Sequence, residues 1–353
     1  MSSLAVYGEA KRRVASALRH MGLADLLLRL HRGAPLILRY HRVYPDGTRP
    51  FYRLGVDRSL FEAQLDFLAT HFEVVSLATI VESLRAGRPL DGGVAITFDD
   101  GYRDNLTEAF PALRARGMTA TLFVTVDEVS AGRAMWWDRL AAAVQAAPEG
   151  ASTAGRGAEG PALILRGADS RARGFRLLRE AWKTLPWAEV LDHLEQVEAD
   201  WGGEPTADAL VTPDEVRHLS RSGWEIGSHT LDHPILSRLE AREAERQIVD
   251  SRRCLGEMIG ERVRYFSYPN GKRDDVTPTI RDIVQRAGYE AAVATIEGRV
   301  TARSDLFMLE RKGATEGMCA NGQGRLDEAL FTLELAGFYD VLLQRRRRDR
   351  GIC

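Results

Sequence analysis

Two adjacent aspartates, Asp99 and Asp100, directly follow the apolar run 94–98 and precede Gly101. The run is typical of a buried strand, and parallel α/β folds build their active sites where strands end. At such a point one carboxylate can bind a cation while its neighbour stays free to act as a base. Because Asp-Asp-Gly is also common turn chemistry, the motif alone leaves both interpretations open.

A second candidate pair is His229 and His233, which follow another short apolar stretch at 224–227. A spacing of four on a helical turn lets both imidazoles reach one metal ion. An isolated pair of this kind is more often two surface or capping histidines, but Pro234 and the preceding strand favour a fixed loop. One carboxylate and two imidazoles would form a three-ligand site for a divalent ion, with positions open to water and substrate. A free carboxylate nearby could deprotonate that water, which is the chemistry of metal-assisted hydrolysis.

A third motif follows a strand predicted over 263–268 and consists of Tyr268, Pro269, Asn270 and Gly271. Taken alone, this sequence is typical of an ordinary turn. Beside the first two motifs, it could supply a groove wall and a backbone N–H for an oxyanion.

Together these motifs resemble the polysaccharide deacetylases of carbohydrate esterase family four, the group with NodB homology. The resemblance covers roughly 35–310, apart from an insertion. It implies that Asp99 is the catalytic base. It also implies that Asp100, His229 and His233 bind a divalent metal, most often zinc. The implied fold is a distorted (β/α) barrel, and the implied reaction hydrolyses an N-acetyl group on a sugar to acetate and a free amine.

The chain departs from the family pattern in two places. Many members have an Arg four residues before the Gly of the third motif, where this chain has Ser267, and Arg264 is not a clean equivalent. The family's last motif supplies a His as general acid, but no His follows His233. The segment 38–43 resembles the Tyr-His motif of the circularly permuted biofilm poly-N-acetylglucosamine deacetylases. This second resemblance implies that His41 is the general acid. The alternative is a histidine whose hydrogen bonds are made within a loop and which has no catalytic role.

Substrate contacts are predicted at Tyr268, Pro269, Asn270 and Trp137. Asn270 occupies the place whose backbone N–H stabilises the oxyanion in relatives. Tyr268 and Trp137 could stack on sugar faces, although burial in the core is an equal alternative for the tryptophan. Asp138 could add a weaker contact.

Strands and helices alternate along the chain, which predicts an α/β fold with a parallel sheet of seven or eight strands and crossover helices. Combined with the resemblance, this gives a distorted (β/α)7–8 barrel with a helical insertion. We expect an N-terminal amphipathic helix within 1–33, a barrel over 34–345 with an insertion at 138–210, and a basic tail at 346–353. The first motif precedes the insertion and the second follows it, so the barrel is predicted to be one domain.

Hydrophobic patterns give the bounds of the N-terminal helix and of two elements near the C-terminus. A continuous amphipathic helix covers 4–31, a strand covers 306–310, and a last amphipathic helix runs from about 327 to 345. The first helix either packs on the outside of the barrel or attaches to a membrane surface, and packing is the commoner case.

Composition narrows the functional classes. The 353 residues carry a formal net charge of −2, which gives no general attraction to nucleic acid. Three cysteines cannot form a disulfide framework, and no apolar run is long enough to span a bilayer. The N-terminus lacks the pattern of a secretory signal, so we expect a cytoplasmic protein, with contact to the inner membrane face as an alternative. Two other functions stay open: an amide or ester hydrolase of a small metabolite, and a non-catalytic carbohydrate-binding relative.

Overall fold

The computed structural model of the chain describes residues 3–30, 34–87, 92–159, 161–206 and 209–339. Ten strands are present in these residues: β1 (Leu36–Tyr40), β2 (Arg42–Tyr44), β3 (Gly55–Asp57), β4 (Glu73–Val74), β5 (Gly93–Phe98), β6 (Thr121–Val124), β7 (Glu225–Ser228), β8 (Tyr265–Ser267), β9 (Ala291–Val293) and β10 (Lys312–Gly313).

The helices before the third motif are α1 (Ser3–His20), α2 (Leu23–Leu30), α3 (Arg58–His71), α4 (Leu77–Arg85), α5 (Phe110–Arg114), α6 (Val126–Ala131), α7 (Trp136–Ala146), α8 (Gly167–Trp182), α9 (Trp187–Trp201), α10 (Pro213–Arg221) and α11 (Ala241–Ile259). Those after it are α12 (Pro278–Arg286), α13 (Glu316–Cys319) and α14 (Glu328–Leu335). A π-helical turn at Asn105–Ala109 leads into α5.

Eight strands form one sheet in the order β10-β1-β5-β6-β7-β8-β9, with β4 beside β5, and every pairing is parallel. The segment 309–313 joins the two ends of this sheet. Leu309 pairs with Val293 of β9, while Lys312 pairs with Leu38 of β1. The sheet therefore curls into a distorted barrel surrounded by helices, which confirms the predicted fold class.

Close packing inside the barrel explains the composition of its strands. All six residues of β5 are buried, as expected for a strand covered on both faces. At Gly227 in β7, an added Cβ would lie 2.5 Å from the ring of Phe123 in β6. Only glycine fits this approach without displacing its neighbours.

The predicted insertion contains α8, α9 and most of α7. The helical stretch expected there is two helices, separated near Pro186, which directly precedes α9. Phe175 of α8 contacts the rings of Tyr52 and Phe51, with centroid distances of 4.7 and 5.6 Å. These contacts attach the insertion to the loop between β2 and β3.

The continuous helix predicted over 4–31 is wrong, because Gly22 turns the chain between α1 and α2 with a φ of 67°. Both helices pack on α14, and Lys11 forms an ion pair of 2.6 Å with Glu334. Four apolar side chains of this region stay exposed: Val14, Met21, Leu23 and Leu26. Across the described residues, no helix combines the length and apolarity needed to cross a membrane.

Two predictions near the C-terminus need correction. The strand expected over 306–310 lies later, at β10, because the chain turns over 306–308 before it reaches the barrel. The last helix, α14, is not amphipathic: all residues from 329 to 335 are buried, since it lies between α1, α2 and the barrel. Its helix ends at Leu335, close to Gly337 with a φ of 73°. The predicted extension to 345 and the basic tail at 346–353 lie partly or wholly outside the described residues.

Candidate active site

The predicted site residues leave neighbouring strands at one edge of the barrel. Tyr40 pairs with Phe98, so His41 and Asp99 follow their strands at the same level. The Asp99 N–H donates to the Tyr40 carbonyl at 3.0 Å, and the His229 N–H donates to the Val124 carbonyl at 2.9 Å. The barrel thus brings together residues that are far apart in the sequence.

Asp100, His229 and His233 form a compact cluster of three ligand-type side chains. One ligand atom from each lies within 4.8 Å of the others, and both histidine Nε2 atoms are 3.5 Å from Asp100 Oδ1. Asp100 and His229 are buried, while the His233 side chain is 11% exposed. This is the trio that the sequence predicts.

The chemistry of this trio fits a divalent cation. Both carboxylate oxygens of Asp100 are buried without a hydrogen-bond partner among the described residues. His229 Nδ1 donates to the carbonyl of Ser267 at 2.6 Å, which leaves the Nε2 lone pair facing Asp100. Burial and the neighbouring His229 lower the pKa of His233 to about 3, so its imidazole is neutral and can act as a ligand.

Unusual backbone conformations coincide with the site. Among the described non-glycine residues, four have a positive φ: Asp100 at 78°, Thr230 at 69°, His233 at 64° and Asn270 at 58°. Three of these four are predicted site residues. Left-handed conformations cost energy for residues with a Cβ and tend to persist where function requires a side-chain direction.

Asp99 is held by Arg311 in a fully buried, bidentate ion pair. Arg311 Nη1 and Nη2 donate to Oδ1 and Oδ2 of Asp99 at 2.8 and 2.7 Å. Ser267 Oγ donates to Oδ1 at 3.2 Å and accepts from Arg311 at 3.0 Å. Burial raises the pKa of Asp99, but Arg311, His229 and His41 together outweigh it and hold that pKa far below its usual range. Asp99 is therefore a fixed, ionised carboxylate.

His41 lines the same cavity as the trio and Asp99. Its backbone carbonyl accepts from Asn105 Nδ2 at 2.8 Å, which fixes the turn after β1. Burial lowers the pKa of the His41 imidazole, and the carboxylates of Asp100 and Asp99 oppose this effect. Besides the trio, the site thus contains the imidazole of His41 and the carboxylate of Asp99.

In the third motif, Asn270 has the clearest position. Thr295 Oγ1 donates to the Asn270 carbonyl at 2.6 Å, and the Asn270 side chain donates to Asp275 at 2.6 Å. Its backbone N–H has no acceptor among the described residues. Asn270 and Tyr268 line the cavity, whereas Pro269 does not belong to its lining. The Tyr268 hydroxyl is already bonded to the Phe307 carbonyl at 2.9 Å, so only its ring faces the site.

Trp137 contacts the predicted ligand His233 edge-on, with ring centroids 4.7 Å apart. Its indole N–H donates to the Tyr102 hydroxyl at 2.7 Å, and that hydroxyl donates to Asp138 at 2.9 Å. Tyr52 donates to the other oxygen of Asp138. Trp137 is buried, so its polar group positions the ring against His233, while Asp138 anchors the network.

The cavity has a volume of about 300 Å³. Its inner end carries the predicted catalytic and ligand residues. Apolar and aromatic side chains form much of its wall, including Leu54, Trp136, Trp137, Trp182, Leu185, Trp187, Val190 and Ile235. Because α8 and α9 supply part of this wall, the insertion closes one side of the site.

Sequence reasoning missed Arg311. The search for a cation beside the base considered only the third motif, where Arg264 instead forms surface ion pairs with Glu82 and Glu290. One signal was present: Arg311 follows the apolar run 306–309, and charged residues at such positions can enter a strand-end site. The predicted strand stops at 310, one residue too early to indicate this.

Comparison with known proteins gives a consistent result. The family model described as polysaccharide deacetylase matches residues 86–156 and 179–292. The Bacillus subtilis (strain 168) protein YxkH is 22% identical over 298 residues, which is 83% of this chain and 76% of YxkH.

Two solved structures are similar in fold. The Streptococcus pyogenes deacetylase PplD, solved in complex with acetate, aligns with a TM-score of 0.56 and 19% identity, covering 81% of this chain and 94% of PplD. IcaB from Ammonifex degensii aligns with a TM-score of 0.54 and 20% identity, covering 86% of this chain and 97% of IcaB.

Proposed function

The chain belongs to the polysaccharide deacetylase family, and from this premise we propose that it is a metal-dependent hydrolase removing an N-acetyl group from an amino sugar. One observation carries the proposal: the buried trio of Asp100, His229 and His233 shares a cavity with Asp99 and His41. The trio would hold a divalent cation, and zinc suits two imidazoles and one carboxylate.

When bound, the cation would supply Lewis-acid polarisation of the acetyl carbonyl and ease deprotonation of a water molecule. Asp99 would accept the proton of the attacking water. Arg311 keeps this carboxylate ionised and fixes both its oxygens, so no reorientation is needed during the reaction.

Two other groups would complete the hydrolysis. The backbone N–H of Asn270 would donate to the oxygen that becomes negatively charged as the carbonyl carbon turns tetrahedral. His41 would deliver a proton to the sugar nitrogen as the C–N bond breaks, giving acetate and a free amine. Amide hydrolysis requires one group that accepts a proton from water and another that donates a proton to the leaving nitrogen. Asp99 and His41 would fill these two roles.

The test is acetate release from N-acetylated oligosaccharides by wild type and Asp99→Asn, with chelator treatment and zinc add-back. We expect activity to disappear with chelator, return with zinc, and fall strongly in Asp99→Asn. Thermal unfolding gives an independent readout: zinc at about 100 times its Kd should add about 2.7 kcal/mol of stability. His233→Ala should abolish that zinc-dependent shift. Chelator-insensitive acetate release would overturn the proposal.

A second candidate substrate class is supported by the size of the cavity. About 300 Å³ lies at the lower end of the range for ligand pockets, and this suits a small N-acylated compound as well as one end of a glycan. A panel of oligosaccharides, lipid-linked sugars and small N-acetyl compounds separates these classes by relative kcat/KM. Sugar binding without metal-dependent acetate release would instead identify a non-catalytic carbohydrate-binding relative.

A further inference from the structure

Positive charge is concentrated on the wall of the active-site cavity. Five of its lining side chains are cations that play no part in the proposed hydrolysis. Arg39 is one of them and lies 3.7 Å from the Glu297 carboxylate. We call the other four the cationic rim: Arg179, Lys183, Arg238 and Lys272. They come from three separate stretches: α8 with the residue that follows it, the short helix Leu236–Arg238, and the residue that follows the third motif.

Few negative charges compensate the rim. Glu180 accepts from Arg179 at 2.8 Å and from Lys183 at 3.1 Å, so one carboxylate serves two cations. Arg238 and Lys272 have no ion pair within the described part of the chain. Burial lowers the pKa of Lys183, and repulsion from Arg179 and Lys272 adds to the effect. The cations therefore lie close enough to disfavour one another, and an anion between them would relieve that repulsion.

Two members of the rim lie at the outer part of the cavity. Asp99, Asp100 and His229 at the inner end are buried, whereas Arg238 and Lys272 are exposed. Two carboxylates line the cavity within the described residues: Asp99 is paired with Arg311, and Asp100 belongs to the trio that would hold the cation. A ligand with its acetamido group at the inner end would therefore place its next substituent against the rim.

We propose that the N-acetylated sugar bound here carries a phosphate or pyrophosphate ester, which the cationic rim binds. This inference rests on the proposed deacetylation and names its substrate class. A phosphate ester offers up to two negative charges and several acceptor oxygens. It therefore suits four cations better than a ligand with a single carboxylate would.

The same chemistry occurs in a sugar 1-phosphate, in a nucleotide sugar and in a sugar linked to a polyprenyl pyrophosphate. The test compares acetate release from N-acetylglucosamine 1-phosphate with release from its neutral counterpart, methyl N-acetyl-α-glucosaminide. UDP-N-acetylglucosamine and a short-chain prenyl-pyrophosphate N-acetylglucosamine form two further arms, and an N-acetylated disaccharide with a uronic acid forms the carboxylate arm.

We expect wild type to prefer the phosphorylated sugar over the methyl glycoside by at least about tenfold in kcat/KM. The double variant Arg238→Ala/Lys272→Ala should lower this preference about tenfold. Arg273→Ala is the matched control, because Arg273 is exposed, adjacent to Lys272 and absent from the cavity lining. It should leave the preference unchanged. The arm with the highest kcat/KM identifies the source of the phosphate.

Equal kcat/KM for the phosphorylated and neutral sugars, or a preference for the uronic acid arm, would overturn this inference and leave the deacetylase proposal intact. Acetate release from none of the substrates would count against the deacetylase proposal. Calorimetry on wild type, which in that case does not turn these sugars over, then tests the rim separately. Binding of N-acetylglucosamine 1-phosphate no tighter than that of the methyl glycoside would overturn the phosphate assignment.

Discussion

At the scale of single residues, the pairing of Asp99 with Arg311 shapes the site most. Both side chains are buried, and the two bonds of the pair use both guanidinium Nη atoms and both carboxylate oxygens. A buried ion pair adds little net stability compared with apolar packing, but removal of one partner leaves an uncompensated charge. The pair therefore fixes the position of Asp99, the proposed base, and loss of either partner would destabilise the protein.

Replacing Arg311 with Met should cost about 3–5 kcal/mol of unfolding free energy, because Asp99 would stay buried without its partner. Loss of orientation should also lower kcat about 100-fold. Denaturant unfolding and acetate release measure the two effects. Arg264→Met is the control, since its ion pairs lie at the surface and contribute at most about 1 kcal/mol.

The double variant Arg311→Met/Asp99→Asn separates the two effects. It should recover part of the lost stability, because both charges are gone, while activity stays low. A double variant no more stable than Arg311→Met would contradict the charge argument.

His41 carries the second residue-scale prediction. His41→Gln should reduce kcat about 10²–10⁴-fold, as expected for loss of a general acid. Zinc content measured by mass spectrometry should stay the same, because the trio is intact. His20→Gln, at the exposed end of α1, is the control and should behave as wild type. Near-normal turnover in His41→Gln would remove His41 from the mechanism.

At the scale of elements, the barrel depends on close contact between β6 and β7. Their register pairs Phe123 with Gly227, and the ring of Phe123 fills the space where a Cβ would lie. His229 follows β7 directly, so displacement of this strand would also move a predicted metal ligand.

Gly227→Ala should therefore destabilise the protein by about 1–3 kcal/mol through overpacking. It should also weaken zinc binding, because β7 cannot keep its position. Gly322→Ala is the matched control: its added Cβ meets nothing within 4 Å, so stability should change by less than about 1 kcal/mol. Equal urea midpoints for the two variants would show that β7 accommodates the added Cβ without loss of stability.

At the scale of the whole molecule, the insertion shares a core with the barrel. Phe175, Trp182 and Leu194 of the insertion belong to the same cluster of buried side chains as Leu36 and Phe98 of the barrel strands. We therefore propose that the barrel and the insertion fold as one domain, as the order of the motifs predicts.

This proposal predicts one unfolding transition. Three of the six tryptophans, Trp182, Trp187 and Trp201, lie within the insertion, and Trp136 and Trp137 directly precede it. Fluorescence therefore reports mainly on the insertion and its junction with the barrel, whereas far-UV circular dichroism reports on the whole chain. The two denaturant curves should coincide. In Phe175→Ala, which removes the contact with Tyr52, we expect the fluorescence curve to shift to lower denaturant more than the dichroism curve. Separate curves in wild type would indicate two domains.

The sequence by itself determined the parts of this protein that depend on local order. Ligand-type residues that follow apolar strands, such as Asp100 and His229, lie at the same edge of a parallel sheet, and the alternation of strands and helices predicts that sheet. The family resemblance added predicted roles for these residues, including that of His41, which stay predictions.

Only the tertiary structure decided which distant groups surround those residues. Arg311 reaches Asp99, 212 positions earlier, because the segment 309–313 joins the two ends of the sheet. Arg179 and Lys183 face the cavity because α8 packs over it through Phe175. Such contacts depend on how elements pack across long separations, and hydrophobic periodicity and motif spacing carry no information about that packing.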